Sequence, residues 1–343
     1  MRAEDQILFL SARQDFGEQQ RRSVVALVEH NNIDWNLVLS TAEEHGVAPL
    51  VYENLIHGDP LGVKLPADLA QRFKLNAVHN AIDKEKRAKK LFEALTYLNQ
   101  QSLDVMLIKG AALDLFVYQQ PYLTTSKDID VILSRRREDF SEEEMHALGR
   151  FMHGSGIEYD FYEHHDTNIN GALPVDFEWI WRDAAWIDFR GQPARVMCPE
   201  DMLISVCINS CRKRFFRLKS LMDIAETVKK FPDLEWEKLA AKARAYDCHP
   251  IVYTALSLTR LTLGCPLPDG TLHALGVGAF RVRIIDLTVR FLLREVSLSA
   301  YPFSGYSFLG RRINLALILP YMNYRGYQIW RKMGEIRDAW QAG

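Results

Sequence analysis

The sequence lacks the cysteine pattern that holds together domains too small to build a hydrophobic core. Its five cysteines are an odd number, and none of them forms a C-x-x-C pair. Disulfide frameworks and zinc ribbons need closely paired cysteines, so the pattern argues against both. Cys207 and Cys211 lie four residues apart, which predicts two small apolar side chains on one buried helix face.

Long hydrophobic runs and an excess of charge of one sign are lacking too. No run approaches the roughly 20 apolar residues that span a bilayer, and Met1–Gln20 is too charged for a signal peptide. A net charge of −2 over 343 residues gives no general attraction to nucleic acid or to acidic membranes. We therefore expect a cytoplasmic protein with no transmembrane segment.

Helical and strand-like patterns divide the chain into three predicted regions. Hydrophobic residues make up 48% of the sequence, which supplies a sizeable core. Residues 1–100 predict a helical N-terminal region and residues 101–195 a core that contains β-strands. After Gly191 the pattern returns to helix, so residues 196–343 predict a helical C-terminal domain. The expected fold class is α+β.

A long helix is predicted over Ala67–Leu98, because apolar residues recur there at helical spacing. Within it, Asp83–Lys90 is strongly charged. The pairs Lys86-Arg87 and Lys89-Lys90 are typical of a solvated helix face, and contact with a phosphate is the alternative interpretation.

The stretch Met106–Leu133 carries the most informative pattern. It predicts an apolar strand, a turn at Lys109-Gly110, an amphipathic helix, and a second strand with Asp128 and Asp130. Residues two apart on a strand point to the same face, so the two carboxylates should project together. Adjacent ionised carboxylates repel each other unless a cation lies between them. The pattern predicts a divalent-metal site beside a glycine turn that can receive phosphate.

A third carboxylate, Asp176, is expected to join that site. The segment Val175–Trp181 is rich in β-formers and predicts a strand with Asp176 and Glu178 on one face. Carboxylate oxygens with no nearby histidine or cysteine favour Mg²⁺, with Mn²⁺ as the alternative. Each part also has a simpler explanation, because a D-x-D pattern often ends a strand in solvent and a single glycine often only makes a turn.

These motifs resemble one known family. K-G-A-A-L, then D-I-D-V-I-L and V-D-F-E-W, are similar to the uncharacterised nucleotidyltransferase branch of the DNA polymerase β-like superfamily. The segments I-D-W-N-L-V-L-S-T-A-E-E-H-G-V-A-P-L-V-Y and C-P-E-D-M-L-I-S-V-C-I-N resemble the helical leader and follower of that branch. The resemblance extends roughly from Ile33 to Pro268.

The resemblance implies a fold and an activity. The fold would be a small mixed β-sheet nucleotidyltransferase core between helical regions. The activity would be Mg²⁺-dependent transfer of a nucleoside monophosphate, AMP from ATP, to an unidentified small-molecule or protein acceptor with release of pyrophosphate. Two Mg²⁺ ions would be held by Asp128, Asp130 and Asp176, and the residues expected to bind the nucleotide phosphates are Lys109, Gly110, Ala111, Lys127 and Lys219.

Three departures from the family pattern leave an alternative open. The glycine turn usually continues with serine or glycine, whereas here Ala111 follows Gly110 and brings no hydroxyl. An arginine commonly precedes D-x-D, where this chain has Lys127, and Glu178 stands where the branch often has histidine. A catalytically weakened protein that senses nucleotide or binds a partner is therefore the second hypothesis.

Overall fold

The computed structural model describes residues 1–57, 65–126, 128–163, 167, 169, 173–213, 215, 217–295 and 297–300. Residues 301–343 of the predicted C-terminal region, and Lys127 among the predicted phosphate ligands, lie outside the described residues.

Five helices precede the first strand. They are α1 (Ala3–Ser11), α2 (Glu18–His30), α3 (Trp35–His45), α4 (Ala48–Tyr52), which continues as a π-helical turn over Glu53–His57, and α5 (Ala67–Gln100). The Asp34 side chain begins α3 by accepting a hydrogen bond from the Leu37 N–H. Gly46 ends α3 in the left-handed conformation, with φ at +72°.

One five-stranded mixed sheet forms the middle of the protein. Its strands are β1 (Val105–Ile108), β2 (Asp130–Leu133), β3 (Glu158–Asp160), β4 (Ala185–Phe189) and β5 (Gln192–Val196), in the spatial order β3-β2-β1-β5-β4. The strand β1 is antiparallel to β2 and parallel to β5, and β2 is parallel to β3. All four side chains of β1 are buried, which explains its uninterrupted apolar sequence.

Three helices connect these strands: α6 (Lys109–Phe116), α7 (Glu142–Ser155) and α8 (Phe177–Asp183). Short 3₁₀ turns occur at Pro121–Leu123 and Arg137–Asp139. The helix α6 begins directly at Lys109, so the predicted Lys109-Gly110 turn is the first turn of a helix.

Within the described residues, six helices follow the sheet. They are α9 (Pro199–Arg212), α10 (Leu218–Lys230), α11 (Trp236–Ala245), α12 (His249–Leu263), α13 (Thr271–Ala274) and α14 (Ala279–Glu295), and a 3₁₀ turn over Leu298–Ala300 comes after them. Their buried faces and those of the N-terminal helices join the sheet in one continuous hydrophobic core. Within the described part of the chain, no helix combines the length and the apolar character needed to cross a membrane.

The α+β fold class and the strands β1 and β2 agree with the sequence predictions, whereas the strand predicted over Val175–Trp181 is wrong. Those residues form the helix α8, which begins at Asp176. Phe177, Ile180 and Trp181 are buried at positions i, i+3 and i+4, a helical spacing that overrides the local preference for strand.

The hairpin of β4 and β5 was not predicted. Its two-residue turn is Arg190-Gly191, and both residues have positive φ, at +56° and +85°. Asn-Gly and Asp-Gly are the usual sequences of such a turn, and Arg-Gly does not predict one. The division into three domains at residues 100 and 195 stays a prediction.

Candidate functional site

The N-terminal helices, the sheet and the C-terminal helices meet around a cleft of about 650 Å³. The end of α3 contributes Glu43, Glu44 and Gly46. The region around β2 contributes Lys109, Gly110, Thr125, Ser126, Asp128, Asp130 and Glu158. The opposite side, from α9 to α10, contributes Asn209, Arg212, Lys213, Arg217, Lys219 and Asp223.

Asp128 and Asp130 both line this cleft, at the start of β2. Between them, Ile129 is buried in the core, so the chain alternates between core and cleft at this point. Asp128 is exposed and Asp130 is partly buried. The geometry therefore presents two carboxylates to one space.

The Lys109 ammonium does not project freely toward a phosphate, because it lies 2.5 Å from Oδ1 of Asp130. Both side chains are largely buried. Lys109 also has a positive φ of +49°, an unusual conformation for a residue with a side chain. The Lys109 ammonium thus already provides a positive charge beside Asp130.

Gly110 lies against Ser126. A Cβ atom placed on Gly110 would be only 2.9 Å from the Ser126 Cβ and 3.4 Å from its Oγ. The glycine is thus required by the close approach of another segment. The Ser126 hydroxyl therefore lies beside Gly110, although Ala111, the next residue in the chain, has no hydroxyl.

Lys84 supports this contact from the long helix α5. Its ammonium donates to Oγ of Ser126 and to Oγ1 of Thr124, both at 3.1 Å, and it forms an ion pair with Asp114. Burial lowers the pKa of Lys84 to about 8, against the opposing effect of Asp114. Thr124 and Ser126 are therefore held by a buried ammonium.

Asp176 does not line the cleft. Its side chain accepts a hydrogen bond from the Trp179 N–H at 2.9 Å and so caps α8. The expected strand that would carry Asp176 and Glu178 on one face is absent there. The place of Asp176 in the metal-binding set beside Asp128 and Asp130 therefore stays a prediction.

Glu158 supplies a third carboxylate to the cleft instead. It lies on β3, directly opposite Asp130 in the parallel pair of strands. Paired residues on neighbouring strands point to the same face, which places Glu158 beside the two aspartates. Sequence analysis did not single out Glu158, because its place beside Asp130 depends on how β2 and β3 pair.

The opposite wall of the cleft is cationic. Arg212, Lys213, Arg217 and Lys219 come from the end of α9 and the start of α10. Lys219 is held by Asp223, whose two oxygens lie 2.9 and 2.8 Å from its ammonium. A cleft with carboxylates on one wall and cations on the other suits an anionic ligand that carries a divalent cation.

A second cavity of about 360 Å³ adjoins the cleft and shares Ser126 and Asp128 with it. It lies between α5, α6 and the tip of the β4–β5 hairpin. Ala111, which was expected to bind nucleotide, is buried in the wall of this second cavity and does not line the cleft.

The donor atoms at the cleft fit a hard divalent cation, because all three carboxylates offer oxygen. Mg²⁺ is usually bound by one or two carboxylates together with phosphate oxygens of a substrate, so Asp128 and Asp130 suffice on the protein side. They do not form a tight triad with Glu158: among the described residues, only Asp183, Cys198 and Asp201 place three ligand atoms within 4.8 Å of one another.

That tight group already has two lysine partners, because Lys238 lies 3.3 Å from Asp183 and Lys242 contacts both aspartates. The buried ammonium of Lys242 lies 3.0 Å from Asp183 and 2.6 Å from Asp201. Burial alone would lower the pKa of Lys242, but the bonds to Asp201 and Asp183 outweigh burial and raise it. Burial also raises the pKa of the Cys198 thiol to about 12, so no thiolate is available there. The charges of this group are balanced without a metal.

Comparison with known proteins adds one finding. A sequence model of the family described as "Uncharacterised nucleotidyltransferase" matches residues 31–264, more than half of the chain. The searches of curated proteins and of solved structures return no match. The matched range contains every residue that lines the cleft and the second cavity.

Proposed function

The chain belongs to the family of uncharacterised nucleotidyltransferases, and from that premise we propose that it transfers AMP from ATP to an acceptor, with release of pyrophosphate, in a Mg²⁺-dependent reaction. Membership supports nucleotidyl transfer in general. The choice of ATP, the metal and the acceptor are the proposal.

The observation that carries the proposal is that carboxylates and cations line the same cleft. Asp128 and Asp130 stand on one wall, and Arg217 and Lys219 belong to the cationic wall. A triphosphate between them would meet cations on one side and, through divalent metal, carboxylates on the other. When bound, Mg²⁺ would neutralise phosphate charge and polarise the α-phosphate.

The residues of the chain then have separate roles. The N–H groups at the start of α6 and the Ser126 hydroxyl, which adjoins Gly110, would hold phosphate oxygens. Asp128 is exposed and lines both cavities, so it is placed to accept the proton of the acceptor hydroxyl. The acceptor oxygen would bond to the α-phosphorus as the bond to the β-phosphate oxygen breaks and pyrophosphate leaves.

In this proposal Glu158 is the third carboxylate of the metal site, the role that the sequence predicted for Asp176. Its pairing with Asp130 across β2 and β3 places a third carboxylate at the cleft. We propose Asp128, Asp130 and Glu158 as the metal-binding set, with Lys109 displaced from Asp130 when metal enters.

The test compares four conservative variants. Asp128→Asn and Asp130→Asn should each reduce pyrophosphate release from ATP about 100-fold or more, because a preorganised charge at the reacting phosphate is lost. Glu158→Gln should reduce it as well. Release is measured with Mg²⁺ and a low-molecular-weight cell extract as the source of acceptor.

Asp176→Asn is the matched control, because asparagine also caps helices. It should leave pyrophosphate release unchanged. The assignment of Glu158 would be overturned if Asp176→Asn lost activity while Glu158→Gln kept it. The proposed function would be overturned if the Asp128 and Asp130 variants both kept full activity.

One observation favours a second candidate function. The ion pair between Lys109 and Asp130 shows that the protein can neutralise this carboxylate by itself. A protein that binds nucleotide but turns it over poorly, as a sensor or a partner-binding module, is consistent with that pair. This alternative would be supported if calorimetry shows that ATP binds but no acceptor source leads to release of pyrophosphate. Mass spectrometry of a co-purified protein should then show no added nucleotide.

A further inference from the structure

The second cavity adjoins the proposed reaction centre. Its wall includes Ser126 and Asp128, the two residues that also line the cleft. A molecule in this cavity would therefore approach Asp128 while a nucleotide occupies the cleft. That is the geometry that group transfer between two bound substrates requires.

Much of the cavity wall is apolar. The lining side chains without polar groups include Ala81, Ala88, Leu91, Leu115, Ile129 and Phe189. A volume of about 360 Å³ lies within the range of small-molecule sites in proteins, which are mostly apolar with a few placed polar groups. The cavity therefore suits the apolar body of a small molecule.

Two of the three cations in the wall are compensated. Lys84 is paired with Asp114 and donates to Thr124 and Ser126. Arg190, at the hairpin tip, lies 3.3 Å from Glu85. Neither cation needs a ligand to balance its charge.

Arg87 is different. It is half-buried in the cavity wall, and its Nε atom is buried without a hydrogen-bond partner. Among the described residues, no carboxylate forms an ion pair with its guanidinium. A buried N–H group without a partner is unfavourable, and a planar guanidinium matches a carboxylate or phosphate group.

We propose that this cavity binds the acceptor, and that the acceptor is a small molecule with an apolar body and an acidic group held by Arg87. The inference rests on the proposed function, which it deepens by naming the class of acceptor. The hydroxyl that receives the nucleotide would lie toward Asp128, away from the acidic group. The charged stretch of α5 thus has one member that faces a ligand.

The test uses two fluorescent probes that differ only in the acidic group, 6-hydroxy-2-naphthoate and 2-naphthol. Fluorescence titration should show that naphthoate binds the full chain more tightly than naphthol. Arg87→Met should weaken naphthoate binding about tenfold or more and change naphthol binding less than twofold, because only the charge-assisted hydrogen bonds are removed. Arg87→Lys should recover part of the affinity.

Lys89→Met is the matched control, since Lys89 is an exposed cation on the same helix and does not line the cavity. It should leave both affinities unchanged. Ala88→Trp, which fills the cavity, should weaken both probes. The inference is overturned if wild type does not bind naphthoate, if Arg87→Met binds it normally, or if Ala88→Trp does not affect it.

These outcomes are separable from the proposed function. Binding of the Mg²⁺ complex of the α,β-methylene analogue of ATP is measured in the same variants and should be unchanged in Arg87→Met. If the ATP analogue binds normally but naphthoate binds equally well with and without Arg87, only the proposed acceptor site is overturned. Arg87-dependent naphthoate binding without analogue binding in wild type overturns the nucleotidyltransferase proposal and leaves a binding site for apolar acids.

Discussion

At the scale of single residues, the contact between Gly110 and Ser126 lies where the proposed nucleotide cleft meets the proposed acceptor cavity. The two residues are far apart in sequence, and Lys84 fixes Ser126 by a hydrogen bond of 3.1 Å. Asp128 follows Ser126 by two residues, so the position of this carboxylate, which we propose to be catalytic, depends on the absence of a side chain at Gly110.

Gly110→Ala should therefore displace the Ser126–Asp128 segment. The added Cβ meets the Ser126 Cβ at 2.9 Å, and overpacking of this kind costs about 1–3 kcal/mol of unfolding free energy. We expect lower stability in chemical denaturation and weaker binding of the Mg²⁺–ATP analogue. The double variant Gly110→Ala/Ser126→Gly, which removes the opposing Cβ, should recover stability.

Gly149→Ala serves as the control, because nothing lies within 4 Å of a Cβ at that glycine of α7. It should be neutral or stabilising by up to about 1 kcal/mol. If Gly110→Ala were as stable as Gly149→Ala, the steric explanation of Gly110 would be contradicted.

The sequence indicated part of the site at this scale. Alternation along one strand was enough to place Asp128 and Asp130 together. Glu158 could not be assigned, because its position beside Asp130 depends on the register of two strands, which tertiary packing sets. Arg87 was indistinguishable from its exposed neighbours, since a helix period does not show which charge faces a cavity.

At the scale of secondary structure, the helix α8 shows why local patterns failed. V-D-F-E-W-I-W satisfies both a strand period and a helix period. Burial of one helical face, together with the Asp176 cap, decides in favour of helix. The helix is then attached by Lys242 of α11, which lies within 3.0 Å of Asp183 in α8 and 2.6 Å of Asp201 in α9.

Lys242→Met should destabilise the protein by about 3–5 kcal/mol, because it leaves two carboxylates without their buried partner. Denaturation midpoints with and without a chelator measure the loss and show whether a metal contributes. The chelator should have no effect on wild type, since Lys242 supplies the positive charge.

The exposed pair of Lys89 and Glu93 provides a comparison within the same chain, with both side chains more than half exposed. Lys89→Met should change stability by less than about 1 kcal/mol. If Lys242→Met and Lys89→Met lowered the unfolding free energy equally, the buried ion pairs of Lys242 would contribute no more than an exposed pair.

At the scale of the whole molecule, His45 connects regions that are distant in sequence. Its Nδ1 atom accepts a hydrogen bond from the Leu218 N–H at 2.9 Å, and its Nε2 donates to the Leu298 carbonyl oxygen at the same distance. These two bonds require the neutral ring. Burial lowers the pKa of His45 to about 4, and the charge of Arg217 acts in the same direction.

Acid should therefore weaken the protein through His45. The unfolded chain binds a proton at this histidine below a pKa of about 6.5, whereas the folded chain does not bind it until about pH 4. The stabilisation is complete above pH 6.5 and falls by up to about 3 kcal/mol as the pH drops through that window.

The check is the unfolding free energy of wild type and His45→Gln between pH 7.5 and pH 4.5. Glutamine can donate and accept at similar positions but does not titrate in this range, so its profile should be flatter. Parallel profiles of the two proteins would assign the acid sensitivity to other groups.

The strand order has a consequence for how the protein is made. The central strand β1 pairs with β2, which follows soon after it, and with β5, which begins only at Gln192. During synthesis from the N-terminus, the cationic wall emerges later still. A ribosome-bound chain would therefore expose an incomplete sheet until β5 is released, and the cleft would stay incomplete until α10 is released.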